Sequence, residues 1–145
     1  MVQIGFDQLN IISDDLDETA DFYRRLGLQL DVFRTPSGQP FHSSSSPDDR
    51  PLLEADTTAF ARLWNEGWKN EEKLHGRVVI GIRVATRTEV DAYYNDVIKA
   101  GYRGLQRPFD AFWGARYAIV EDPNGLAVGL MSPVDDTYRS SRTMP

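Results

Sequence analysis

Two rhythms of apolar and polar positions alternate along the chain, and the alternation occurs twice. Residues 6–13 (Phe-Asp-Gln-Leu-Asn-Ile-Ile-Ser) are rich in apolar and β-branched side chains and bounded by polar ones, which predicts a strand. Asp14 and Asp15 then offer N-cap oxygens, with Glu18 three residues beyond Asp15. Thr19, Phe22, Tyr23 and Leu26 follow at spacings of three and four, one face of a helix, and Gly27 supplies a stop. Later, residues 78–84 read as a strand and Thr86 with Glu89 as a capping box. Val90, Tyr93, Tyr94 and Val97 then form a helical stripe closed by Gly101. One offset of 71 carries Asp15, Glu18, Thr19, Phe22, Tyr23 and Leu26 onto Thr86, Glu89, Val90, Tyr93, Tyr94 and Val97. Cap, box partner and stripe coincide, which is the signature of a duplication.

Extended signals follow each helix. The first half offers residues 28–33, a stretch near Phe41, and 52–55; the second offers 102–105, 116–121 and 126–131. Asp122-Pro-Asn-Gly125 is a tight turn, in which Asn-Gly tolerates positive φ. Each half is therefore β-α-β-β-β. The expected fold is α+β, two tandem modules forming a curved mixed sheet around a cleft. Module one spans about residues 4–60, a linker 61–76, module two 77–132 and a tail 133–145. Residues 43–50 read as a mobile polar loop, 58–73 as a short amphipathic helix and linker with Phe60, Leu63, Trp64 and Trp68, and the tail as frayed.

Composition narrows the function classes. A chain of 145 residues builds one domain-sized core, and its lack of cysteine excludes disulfides, zinc–thiolate sites and cysteine nucleophiles. A net charge of −6 with scattered basic residues argues against nucleic acid. No apolar run is long enough for a membrane span, and a cytoplasmic address is expected. No Ser/His/Asp nucleophile arrangement, phosphate-cradling loop or dinucleotide fingerprint is present.

The duplicated unit resembles the vicinal oxygen chelate superfamily of glyoxalase I, extradiol dioxygenases, and fosfomycin- and bleomycin-resistance proteins. The resemblance rests on Asp15-Leu-Asp-Glu-Thr-Ala-Asp-Phe-Tyr-Arg-Arg-Leu-Gly27, and on Phe112-Trp-Gly114 followed by Asp122-Pro-Asn-Gly125. It covers roughly residues 4–132 and is specific for fold, not for reaction. Catalytic members hold a divalent metal with ligands from the first and last strands of each repeat. The resemblance puts Gln8 and Glu54 at two such positions and Val79 and Gly129 at the other two. Valine and glycine donate no side-chain ligand.

Strand alternation places Gln8 and Asn10 on the cleft side with Val79, Gly81, Ala127, Gly129 and Met131, the small residues leaving a roomy cavity. Aromatic Trp64 and Trp113, the latter beside Arg116, are placed to stack on a ligand. The expected function is metal-independent binding of an aromatic or cationic small molecule, similar to the bleomycin-resistance branch. The candidate ligand-binding residues are Gln8, Asn10, Glu54, Trp64, Trp113, Arg116 and Met131, with no cofactor and a homodimeric assembly. The alternatives are a metal-dependent lyase, isomerase or dioxygenase using Gln8, Glu54 and His42, and an interaction module built on the aromatic linker. His42 and His75 stand outside the family's ligand positions, in a loop-proximal segment and just before a strand.

Overall fold

The computed structural model describes residues 6–46, 52–66 and 77–141. Trp68 and His75 lie outside them. The chain divides into two compact units, Met1–Glu72 and Lys73–Pro145. The first runs β1 (Gln8–Ser13), α1 (Leu16–Arg25), β2 (Leu30–Arg34), β3 (Pro40–Ser45), β4 (Leu52–Thr57) and α2 (Thr58–Trp64). The second runs β5 (Val79–Arg83), α3 (Arg87–Lys99), β6 (Gly104–Asp110), β7 (Arg116–Glu121) and β8 (Ala127–Met131), then a 3-10 turn at Asp136–Tyr138. Each forms a four-stranded mixed sheet, ordered β1-β4-β3-β2 and β5-β8-β7-β6. In both, the first and last strands are parallel neighbours and the remaining pairs antiparallel. These are the two β-α-β-β-β modules expected.

The helix starts are built from the residues the sequence marked. Asp15 accepts from the Glu18 amide at 3.0 Å, and Thr86 and Glu89 close both arms of a capping box. The helix ends match as well. Gly27 (φ 89°) and Gly101 (φ 96°) take the left-handed conformation that any side chain would strain. The amides of Leu28 and Tyr102 return to the carbonyls of Tyr23 and Val97, which satisfies orphan carbonyls of the last turn. Because α3 has 13 residues and α1 has 10, the offset of 71 holds at the helix starts and is lost at the stops.

Alternation decides what each sheet buries. Ile11, Ser13, Leu53 and Ala55 are buried together with Leu16, Thr19, Ala20, Phe22 and Tyr23 of α1. Ser13 Oγ and Thr19 Oγ1, 2.7 Å apart, satisfy each other inside that layer. In the second unit Ile80, Ile82, Ala118, Val120, Val128 and Leu130 are buried with Val90 and Val97 of α3. The opposite faces carry Gln8, Asn10, His42, Glu54 and Asp56 in one unit, and Val79, Gly81, Tyr117, Gly129 and Met131 in the other.

Two expectations are corrected. Ser43 and Ser45 belong to strand β3, not to a mobile loop, and both are buried. They are interior to the sheet, where a small hydroxyl side chain fits close beneath the helix, and Ser45 Oγ accepts from the Leu53 amide. Residues 47–50 of that expectation lie outside the described residues. The start of the tail is pinned rather than frayed, because the amides of Asp135 and Ser140 donate to the carbonyls of Gly114 and Phe112. The Arg87 guanidinium also lies 3.6 Å over the Tyr138 ring. In the Asp122–Gly125 turn only Gly125 takes positive φ; Asp122 Oδ1 instead accepts from the amides of Asn124 and Leu126.

Candidate functional site

On the face of the first sheet turned away from α1, strand register sets the chemistry. His42 on β3 is paired with Asp56 on β4, and Asn10 on β1 with Glu54. Asp56 is 2% exposed, so its carboxylate must be met by donors. His42 Nδ1 lies 2.5 Å from Oδ1 and Asn10 Nδ2 lies 3.1 Å from Oδ2. A carboxylate only accepts, so the contact assigns a proton to Nδ1 and leaves Nε2 as the ring nitrogen that Asp56 does not engage. The same logic orients the Asn10 amide: reversing it would set two acceptors against each other. The His42 ring is further held by Phe33, stacked at 5.6 Å, and by the edge of Phe60 at 6.1 Å.

Helix α2 completes the site. Thr57 caps it through the Phe60 amide, which ties the helix to the end of β4 and brings Phe60 and Trp64 over the same face. A pocket of about 330 Å³ results, lined by Gln8, Asn10, His42, Glu54, Asp56, Phe60 and Trp64. Phe60 also borders a more apolar groove of about 570 Å³ that includes Pro36, Pro40, Phe41 and Leu63. Glu54 differs from Asp56 two residues away: among the described residues it has no hydrogen bond or ion pair. Asn10 Oδ1 is shielded from solvent and has no donor.

In the second unit the equivalent positions carry different chemistry. Strand register equates Glu54 with Gly129, Asp56 with Met131 and His42 with Tyr117. A Cβ built on Gly129 would lie 2.6 Å from the Tyr117 hydroxyl, so the phenol occupies the space a side chain there would need. Tyr117 packs against Phe109 and Trp113 with ring centroids 6.2 and 5.4 Å apart. Burial raises its pKa above the ordinary phenol value. The open space over Gly81 lies beside this cluster on the same face.

Gln8, Asn10, Glu54 and Trp64, together with His42, are brought into one pocket. Trp113 and Met131 lie in the second unit, in or beside its aromatic cluster. Arg116 turns toward α3, where it bonds Asp91 at 2.9 Å, and it reaches Asp110 at the end of β6 at 3.3 Å; the hydrogen bond to Asp91, above all, raises its pKa. Sequence reasoning missed Asp56, Phe60 and Tyr117 as site residues. Asp56 shares the strand parity of Glu54, which was a usable signal; its pairing with His42 depends on register across a loop.

The family's metal site does not fit the residues present. Two of its four positions are Val79 and Gly129, and the space at Gly129 is filled by Tyr117. His42 Nδ1 is committed to Asp56, and no group of three or more His, Asp or Glu side chains among the described residues is arranged to hold an ion.

The paired β-α-β-β-β units define a class of proteins built on duplicated half-sheets. The model of the Glyoxalase/Bleomycin resistance protein/Dioxygenase superfamily matches residues 5–130, and the chain belongs to that superfamily, the vicinal oxygen chelate proteins. A family enzyme from Burkholderia phytofirmans PsJN is similar in structure, with TM-score 0.73 and 16% identity over 89% of this chain and 98% of that one. Lactoylglutathione lyase from Agrobacterium tumefaciens gives 0.59 and 20% over 88% and 92%. TioX from Micromonospora sp. ML1 gives 0.58 and 20% over 88% and 98%. At such identities the likeness concerns the fold. None of the curated proteins compared with the chain is significantly similar to it. No helix among the described residues is long and apolar enough to cross a membrane.

Proposed function

We propose that this protein is a metal-independent binder of a small organic molecule, which it holds in the pocket of the first unit. The observation that carries the reading is the asymmetry between the units. The first places Glu54, the His42–Asp56 pair and two aromatic rings around a cavity, whereas the second replaces the corresponding carboxylates with Gly129 and Met131. A concave site with apolar walls and a few polar groups captures a ligand by burial and stacking, without bond chemistry. At 20% identity the likeness to TioX and to the lyase from Agrobacterium tumefaciens concerns the fold alone, so the donor set decides the preference.

Two measurements test this. Tryptophan emission should change on titration with aromatic or cationic compounds, since Trp64 lines the pocket. Calorimetric titration with nickel, zinc, manganese and iron(II) should show no stoichiometric uptake, and one ion bound at ~micromolar affinity or better overturns the proposal. Homodimer assembly and a cytoplasmic address belong to the same proposal; light scattering on the purified protein and fractionation of cells check them.

A further inference from the structure

We infer that the ligand of this pocket is an organic ammonium carrying at least one N–H, with an aromatic or apolar body; this rests on the binding function proposed above. Acceptors predominate among the groups left free in the pocket. Glu54 offers a carboxylate with no partner among the described residues, and His42 offers Nε2, since Nδ1 is held by Asp56. The floor adds the carbonyl end of the Asn10 amide, buried without a donor, because Nδ2 is held by the same carboxylate. Asp56 thus fixes both neighbours so that each turns its acceptor away from it. Gln8 and the indole of Trp64 are the lining side chains with an uncommitted N–H; Phe60 and the face of Trp64 supply the aromatic wall.

A pocket of unmet acceptors is matched by a ligand of donors, and a carboxylate makes the match best for a charged donor. An anionic ligand would face Glu54 and Asp56 without a cationic side chain in the lining. A quaternary ammonium would gain from the rings but could not donate to Glu54 or to Nε2. An N–H ammonium satisfies these acceptors while its body lies against Phe60 and Trp64. The volume of about 330 Å³ is near the lower end of ligand pockets, which suits a molecule of modest size.

Calorimetric titration of the full chain at about pH 8, where histidine is ordinarily neutral, tests this with three probes of similar shape. These are 2-phenylethylammonium, its N,N,N-trimethyl analogue and neutral 2-phenylethanol. The ammonium should bind at least ~10-fold more tightly than either of the others, one hydrogen-bonded charge being enough for that difference. Glu54→Gln should weaken the ammonium by ~10-fold and the alcohol, which offers one uncharged O–H, by much less; Glu54 supports no other side chain, so the variant folds. If the alcohol or the trimethyl analogue binds as tightly as the ammonium, or Glu54→Gln leaves the ammonium unaffected, the ammonium inference falls and small-molecule binding stands. If none of the three binds and tryptophan emission does not move, both fall.

Discussion

Replacing Asp56 by alanine removes the group on which the pocket's hydrogen bonding turns, and the structure sets the size of the effect. The carboxylate is 2% exposed and accepts from His42 at 2.5 Å and from Asn10 at 3.1 Å. Hydrogen bonds to a charged group are each worth about 1.5–3 kcal/mol net. Against their loss stands the desolvation of a buried carboxylate, several kcal/mol, which the alanine variant no longer bears. The groups left behind, the Asn10 amide and the His42 ring, both lie beside a pocket that admits water, so the stranded-donor cost is near the lower end of its range. The balance predicts a loss of about 2–3 kcal/mol, a drop of ~1 M in the urea midpoint for a slope near 2 kcal/mol/M. Glu54 on the same strand and face supplies the control. It makes no hydrogen bond or ion pair among the described residues, so Glu54→Ala should stay within ~0.5 kcal/mol. Urea unfolding followed by far-UV circular dichroism measures both. Nitrogen NMR of the His42 ring adds an independent readout, since the Nδ1–H form should dominate in the parent and give way to a mixture in Asp56→Ala. Equal stability of the two variants, or an unchanged tautomer in Asp56→Ala, would refute the assignment.

Three further outcomes follow from the second unit. Tyr117 has a folded pKa raised by burial, so its contribution to stability is fully present below the ordinary phenol value of ~10 and is lost as pH rises through the folded value. A phenolate absorbance titration should therefore show a late-ionising tyrosine that disappears in Tyr117→Phe; an unchanged curve contradicts this. Gly129→Ala should cost ~1–2 kcal/mol because its Cβ would press on the Tyr117 ring. In combination with Tyr117→Ala that cost should vanish, and strict additivity would count against the contact. Thr86→Ala opens the capping box of α3 and should cost ~1 kcal/mol, whereas the same change at the exposed Thr137 should cost less; equal losses in thermal melts would argue against the box.

What the residues determined by themselves is local. The caps at Asp15 and Thr86, the stripes of the two long helices, the left-handed stops at Gly27 and Gly101 and the strand alternation that faced Gln8, Asn10 and Gly129 away from the helices all depend on spacings of a few residues. Those spacings are written directly in the chain, and duplication made them readable twice. Ser43 and Ser45 were misread because serine signals a loop by propensity, and only packing against a helix makes a buried strand out of it. The tail was misread for a related reason, since its anchors on Phe112 and Gly114 are remote in sequence.

The site divides in the same way. Gln8 and Asn10 were legible as facing residues from alternation, Glu54 through the resemblance and Trp64 as a candidate stacking ring, yet no spacing announces that His42 on β3 falls opposite Asp56 on β4. The intervening loop can take any length without altering either strand, so register is chosen by how the whole sheet packs. That choice turns an unassigned histidine into an oriented one and leaves Glu54 free beside it. In the second unit it lays Tyr117 across Gly129, where the sequence showed only an absent carboxylate. Tertiary structure alone decided these pairings, because a side chain's partner is set by what lies across the sheet, and the sequence records only what lies along the strand.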